Sequence, residues 1–133
     1  MMPNTDQFRV AFVDQDDFYG SIIKERLGHD GSVNVQHYSS GLALIDQLHE
    51  EPDMVVVDQS LPDVSIRGLF DLIKLYNQKA SLVVLSRNSQ KNIESDEQIH
   101  LANKQIPKDE NAVRNLTDLI RIHLLSFQDF IWV

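Results

Sequence analysis

The sequence predicts a doubly wound α/β fold, a three-layer sandwich in which a five-stranded parallel sheet lies between two layers of helices. Short apolar runs alternate with amphipathic stretches along the chain, as in a series of βα units. Two of these runs, Met54 to Val57 and Leu82 to Leu85, are apolar at every position, which is typical of strands buried on both faces. Right-handed crossovers then place helices on both sides of the sheet.

The first strand and helix follow a polar N-terminus, residues 1–7, which we expect to be disordered. Phe8 to Val13 is a β-branched and aromatic run and predicts the first strand. Asp17 to Leu27 predicts the first helix, because it is followed by Gly28 and places four apolar residues on one helical face: Phe18, Ile22, Ile23 and Leu27. Val33 to Tyr38 alternates between apolar and polar residues and predicts the second strand.

Two more helices are predicted on either side of the third strand. Ser40 begins a helix that ends at Glu51-Pro52-Asp53, because proline cannot continue it. Its predicted inward residues are Leu42, Ile45 and Leu48. Leu61 to Arg67 predicts a loop, and Gly68 to Tyr76 predicts a helix. The predicted inward residues of that helix are Leu69, Leu72, Ile73 and Tyr76.

The end of the chain is less regular. Arg87 to Ala102 has few apolar residues, so its helix should be short or mobile. Lys104 to Ile106 predicts a brief fifth strand, and Asp109 to Leu125 the final helix. The inward residues of that helix are predicted to be Val113, Leu116, Ile120 and Leu124. The domain would thus cover residues 8–126, and the apolar tail 127–133 would continue the helix, form an association surface or start a linker.

Composition excludes several classes of function. The net charge of −8 argues against nonspecific nucleic-acid binding, and no DNA-binding element is recognisable. The absence of cysteine excludes disulfides, thiolate chemistry and cysteine-ligated zinc. No apolar stretch is long enough to span a membrane, and the N-terminus lacks the pattern of a signal peptide. We therefore expect a cytoplasmic protein without membrane contact.

Polar side chains follow four of the predicted strands at the points where the strands end. Asp14-Gln15-Asp16-Asp17 follows the first strand, Asp58 the third, Ser86 the fourth and Lys108 the fifth. Because ligands of such folds bind beyond the carboxyl ends of the strands, we expect these residues to share one site. An oxygen-only cluster suits Mg²⁺. With the hydroxyl and the ammonium group, it also suits attack by a carboxylate on phosphorus.

Each of these residues also has a purely structural interpretation. Asp17 is expected to cap the first helix. Asp58 could simply begin a turn, and Ser86 and Lys108 taken singly would be ordinary loop residues. The joint pattern, with the right residue types in the right order on the right strands, favours the functional interpretation.

Four segments resemble the response-regulator receiver family, also called CheY-like. FVDQDDFYGSIIKERL is similar to the family's first strand, acidic turn and first helix, and PDMVVVDQSLPD to its third strand. VVLS and LANKQIPK are similar to its fourth and fifth strands. The resemblance covers roughly residues 8 to 125 and implies a flavodoxin-like fold, a role in two-component phosphorelay signalling and no enzymatic turnover.

The resemblance also implies a role for each site residue. Asp58 would be the phosphoacceptor, receiving its group from a histidine kinase or phosphotransfer protein. Asp14, Asp58 and the backbone carbonyl of Ser60 would bind Mg²⁺. Ser86 and Lys108 would sense the phosphoryl group, and the domain would then change its protein contacts.

Two residues of the site depart from the family pattern. Gln15 occupies the position of the second acid, so Mg²⁺ affinity should fall, although an amide oxygen can still bind the ion. Asp16 could support the metal instead. Gln105 stands at the family's aromatic switch position. These departures raise an alternative, a pseudo-receiver that works without phosphorylation as an interaction or dimerisation module. Association with a second copy of the chain is left open.

An enzymatic alternative rests on the same acidic turn. Asp14-Gln15-Asp16 also fits the DxD pattern of haloacid-dehalogenase-like phosphatases. That family needs a late acidic pair at a strand end, and no such pair follows Lys108. The phosphatase is therefore a minor alternative.

Overall fold

The computed structural model describes residues 7–29, 31–87 and 104–132, and of residues 126–132 only the backbone. In these ranges, five strands form one parallel sheet in the order β2-β1-β3-β4-β5. The strands are β1 Phe8–Val13, β2 Val33–Tyr38, β3 Met54–Asp58, β4 Ser81–Ser86 and β5 Lys104–Pro107. The helices are α1 Asp17–Leu27, α2 Gly41–Ile45, α3 Ile66–Tyr76 and α4 Ala112–Trp132, and a 3₁₀ turn covers Leu48–Glu50. The predicted doubly wound α/β fold is confirmed.

The sheet has a hydrophobic core on each face. Alternate residues of the strands point to opposite faces, so Phe12 and Val56 pack with α1 and α4, whereas Val13 and Val57 pack with α2 and α3. The apolar residues of β3 and β4 are all buried, as predicted for central strands. This two-sided burial fixes the level at which each strand ends, and therefore the position of the polar residues that follow it.

The second helix differs from the prediction. It ends after five residues at Ile45 and is followed by the 3₁₀ turn, which brings Leu48 into the core. Leu44 is buried, whereas Leu42, predicted to point inward, is 58% exposed. Two residues along a helix are about 200° apart, so Leu42 and Leu44 cannot share one face. The prediction for Leu42 is wrong. So is the one that placed Phe18 on the apolar face of α1, because Phe18 is 75% exposed while Ile23 and Leu27 are buried.

The third helix begins two residues before the predicted start. Ser65 caps it by accepting a hydrogen bond from the backbone N–H of Gly68 at 3.0 Å, and the helix begins at Ile66. The residues of this helix that face the core are Ile66, Leu69, Phe70 and Ile73. The predictions for Leu72 and Tyr76 are wrong, because they are 36% and 55% exposed beside this stripe.

The final helix begins later than predicted and continues into the tail, which was one of the alternatives for residues 127–133. Asp109 accepts a hydrogen bond from the backbone N–H of Asn111 at 2.8 Å in a turn that precedes Ala112. The backbone of α4 continues to Trp132. Of the predicted weak segment 87–102 only Arg87 lies within the described residues, and of the N-terminal segment only Gln7. None of the described helices is both long and apolar enough to cross a membrane.

Candidate functional site

The structure brings four sequence-predicted residues together at one edge of the sheet. Asp14 directly follows β1, Asp58 ends β3, and Ser86 ends β4. Their exposed fractions are 0%, 0% and 1%. Lys108 follows β5, and its backbone N–H donates to the Ser86 carbonyl at 2.8 Å, so the pairing of β4 with β5 is prolonged to the site. Buried carboxylates are rare unless they are paired, and the partners here are cations.

Lys108 links the two carboxylates. Its Nζ atom donates to Asp14 Oδ2 at 2.7 Å and lies 3.5 Å from Asp58 Oδ2. The same ammonium group lies 4.7 Å from the centre of the Tyr19 ring on α1, which is a cation–π contact. One cation thus lies between two anions at the floor of the site.

Arg87 supplies a second cation, which sequence reasoning missed. Its Nη2 atom donates to Asp58 Oδ2 at 3.1 Å, and its Nε atom lies 3.5 Å from Oδ1. Burial alone would raise the pKa of Asp58, but the hydrogen bond from Arg87 and the charges of Lys108 and Arg87 lower it overall. The same contact raises the pKa of Arg87. Arg87 directly follows the fourth strand, so the rule that ligands bind beyond the carboxyl ends of the strands could have predicted its place at the site.

The Asp14 turn is held by its own backbone and by β2. Asp14 Oδ1 accepts from the backbone N–H of Asp16 at 2.9 Å. The Asp14 carbonyl lies 2.9 Å from His37 Nε2, which therefore donates to it. The His37 ring lies directly against Gly20, where an added Cβ would come within 2.3 Å of Nε2. Glycine at this position lets the histidine reach the turn.

The other acidic-turn residues lie at the rim. Asp16, not the predicted Asp17, caps α1 by accepting from the backbone N–H of Tyr19 at 3.1 Å. Asp17 is instead the first residue of the helix. Gln15 is exposed. The cap uses Asp16 Oδ1, so Oδ2 is the oxygen of this exposed carboxylate that could turn to a metal.

Two hydroxyl groups differ in how they are satisfied. Ser60 Oγ donates to Asp58 Oδ2 at 3.3 Å. Ser86 Oγ is buried and has no hydrogen-bond partner among the described residues. A buried hydroxyl without a partner costs about 1–3 kcal/mol, so its position at the end of β4, the strand next to Asp58, points to a ligand that would use it. Gln105 lies on β5 opposite Val84 and is partly buried.

The donor set fits a magnesium ion in type but not fully in charge. The predicted ligands all offer oxygen, the donor atom that Mg²⁺ prefers: Asp14, Asp58, the Gln15 amide and the Ser60 carbonyl. Within residues 7–29, 31–87 and 104–132, however, no group of three histidine, cysteine, aspartate or glutamate side chains is arranged to hold a metal. The two buried carboxylates are already balanced by Lys108 and Arg87.

Comparison with known proteins identifies the fold. The sequence matches no protein-family model and no curated protein significantly. A CheY-like response regulator receiver domain protein from Methanospirillum hungatei JF-1 superposes with a TM-score of 0.77 at 18% identity, covering 92% of this chain and 98% of that one. The HemR receiver domain from Leptospira biflexa superposes with a TM-score of 0.69 at 25% identity, covering 86% of this chain and 92% of that one. The response regulator TrrA from Thermotoga maritima, solved in complex with Mg²⁺ and BeF, superposes with a TM-score of 0.71 at 19% identity, covering 85% of this chain and 96% of that one. The chain has the CheY-like receiver fold.

Proposed function

We propose that this chain is a receiver domain of a two-component system that accepts a phosphoryl group on Asp58. One observation carries the proposal: a fully buried carboxylate shares a lysine with a second buried carboxylate, beside a buried hydroxyl that has no partner. A purely structural ion pair needs neither the second acid nor the free hydroxyl. The fold supports the same conclusion, because the structures it resembles include a response regulator receiver domain protein and the HemR receiver domain.

The chemistry follows from the charges of the site. Asp58 stays ionised because its pKa is lowered, so one carboxylate oxygen can attack phosphorus. A P–O bond then forms as the P–N bond of a donor phosphohistidine breaks, and the leaving imidazole takes a proton. Lys108 neutralises charge that develops on the phosphoryl oxygens, and the Ser86 hydroxyl turns to donate to one of them.

A bound magnesium ion would supply further charge neutralisation at the phosphoryl oxygens. Asp14, Asp58, the Ser60 carbonyl and the Gln15 amide would hold it. The complex of TrrA with Mg²⁺ and BeF supports this assignment by analogy of fold. Replacement of a carboxylate by the Gln15 amide predicts weaker binding than two acids at the turn would give.

Phosphorylation would change the contacts that the domain makes with other proteins. The added group carries about two negative charges, and it would attract Lys108 and the Ser86 hydroxyl away from their present positions. Gln105 lies on β5, two residues before the end of the strand at Pro107. At this switch position an amide side chain, and not an aromatic ring, would respond to the movement. The donor would be a histidine kinase or a phosphotransfer protein.

Intact mass spectrometry tests the proposal. The protein is incubated with Mg²⁺ and a small phosphodonor such as acetyl phosphate or phosphoramidate. We expect the wild type to gain the mass of one phosphoryl group, and Asp58→Asn to gain none. Asp71→Asn, at an exposed position on α3, is the matched control and should behave as the wild type. If the wild type gains no mass with either donor or with phosphorylated kinases, the pseudo-receiver alternative replaces the proposal.

A further inference from the structure

Arg87 is placed differently from Lys108, although both contact Asp58. The side chain of Lys108 is 12% exposed, whereas that of Arg87 is 52% exposed. Lys108 therefore belongs to the floor of the site, and Arg87 closes it from the solvent side. More than half of the Arg87 side chain is exposed, and Lys108 still lies 3.5 Å from Asp58 when the guanidinium group leaves, so Arg87 can leave Asp58 more easily than Lys108 can.

The backbone of Arg87 fixes where its side chain acts. Its N–H donates to Oε1 of Gln59, the residue that follows Asp58, at 3.3 Å. Ser86, its chain neighbour, is anchored in β4. The guanidinium then spans both oxygens of the Asp58 carboxylate, at 3.1 Å and 3.5 Å. A planar group in this position contacts both of the oxygen atoms that could attack phosphorus.

The charges of the site are already balanced when Arg87 is in place. Asp14 and Asp58 carry two negative charges, and Lys108 and Arg87 carry two positive ones. A divalent cation that binds the carboxylates would be repelled by a guanidinium group in contact with one of them, because both seek the same oxygens. Removal of Arg87 leaves a net negative site, which is the condition for binding a hard cation.

We propose that Arg87 is a gate over Asp58: its guanidinium group holds the place of a divalent cation, and Mg²⁺ and a phosphoryl donor reach the carboxylate only when it swings into solvent. The part about phosphoryl donors rests on the function proposed above, and the part about Mg²⁺ does not. The gate lowers Mg²⁺ affinity and slows phosphorylation by small donors. A kinase surface with an acidic group could open it by pairing with the released guanidinium.

Magnesium titration by calorimetry tests the gate without any activity. We expect Arg87→Ala to bind Mg²⁺ about tenfold more tightly than the wild type, with Arg87→Gln close to Arg87→Ala. The Mg²⁺ affinity of Arg87→Lys should lie between that of the wild type and that of Arg87→Ala, because an ammonium group can make only one contact with the carboxylate in place of two. The control is Arg26→Ala in the last turn of α1, about 14 Å along the helix from its start. It removes the same charge and should change affinity less than about twofold.

The source of the effect is checked by combining substitutions. Asp58→Asn should abolish the difference between the Arg87 variants and the wild type, since the guanidinium then has no carboxylate to cover. Thermal unfolding establishes that each variant is folded. The gate is overturned if Arg87→Ala binds Mg²⁺ no more tightly than Arg26→Ala does, or if the difference persists without the Asp58 charge.

Rates of phosphorylation by acetyl phosphate, at one Mg²⁺ concentration that saturates none of the variants, separate this inference from the proposed function. Faster phosphorylation of Arg87→Ala supports both. Tighter Mg²⁺ binding with no phosphorylation of any variant supports the cation part of the gate and contradicts the proposed function. Slower phosphorylation of Arg87→Ala would mean that the guanidinium assists the transfer, and the gate would be overturned while the function stands.

Discussion

Substitution of Gly20 by alanine should disturb the acidic turn through His37. The new Cβ would lie 2.3 Å from His37 Nε2, too close for any contact, so the ring has to move. Its hydrogen bond to the Asp14 carbonyl and its packing against Phe12, at 6.1 Å between ring centres, then weaken. Overpacking costs about 1–3 kcal/mol and the lost hydrogen bond about 1 kcal/mol. The better helix propensity of alanine returns about 1 kcal/mol, so we expect a net loss of about 2 kcal/mol.

A double-mutant cycle isolates the steric cause. In a His37→Ala background the ring is absent, and Gly20→Ala should stabilise the protein by about 0.5–1 kcal/mol through helix propensity alone. The coupling free energy between the two sites is then about 2–3 kcal/mol. It is measured by urea unfolding, with one common m-value fitted to all four proteins. An equal loss in both backgrounds, or a gain in the wild type, would show that the ring does not exclude a side chain at this position.

Three further predictions concern stability. Asp63 accepts hydrogen bonds from the backbone N–H groups of Leu42 and Gly41 at 2.9 Å and 3.1 Å, and these bonds lower its pKa against the effect of burial. A lowered folded pKa stabilises the fold above the unfolded value, near 3.8, and the contribution is lost as pH falls through the folded value. Asp63→Asn should therefore cost about 1 kcal/mol at pH 7 and less with increasing acidity in urea unfolding, and an equal cost at pH 7 and pH 2.5 would contradict this. Ser86→Ala should leave stability unchanged or raise it by about 1 kcal/mol, because an unpartnered hydroxyl is removed, and a loss above about 1 kcal/mol would show that the hydroxyl is bonded. Lys108→Met should cost about 3 kcal/mol by the same assay, since two buried carboxylates lose their shared cation, and a neutral effect would mean that they do not interact with it.

The sheet could be predicted because its signal is local. The apolar runs of β3 and β4 are buried on both faces whichever helices cover them, and their lengths set where each strand ends. Asp58 and Ser86 follow from those ends, together with Asp14 and Lys108 on neighbouring strands. Four residues distant in sequence could therefore be brought to one edge by the rule for parallel sheets alone.

The helices were predicted less well because contacts distant in sequence shape them. The backbone N–H of Leu42 at the start of α2 donates to Asp63, more than twenty positions away. The apolar pattern around Leu42 could not predict this contact. In α3, Phe70 takes a core position that periodicity had assigned to Leu72. The start of α3 at Ile66 depends on the Ser65 cap, a local signal that was present in the sequence and not used.

The second cation of the site depends on the direction of one flexible side chain. Arg87 follows a buried strand, so its backbone position could be predicted, but a long side chain there can point to solvent or to the carboxylate. The contact between His37 and the Asp14 carbonyl is similarly hidden, because it needs the absence of a side chain at Gly20 on a different element. The contacts of Arg87 with Asp58 and of His37 with the Asp14 carbonyl therefore could not be predicted from the sequence.

Chemical mapping of the phosphorylated residue gives the most decisive result. After phosphorylation the acyl phosphate is reduced with borohydride, which converts a phosphoaspartate to homoserine, and peptides are sequenced by tandem mass spectrometry. Homoserine should appear at position 58 and at no other aspartate, with Asp14 unmodified. Modification at Asp14 or at a rim residue such as Asp16, or no homoserine in a protein that had gained phosphoryl mass, would contradict the assignment of Asp58 as the acceptor.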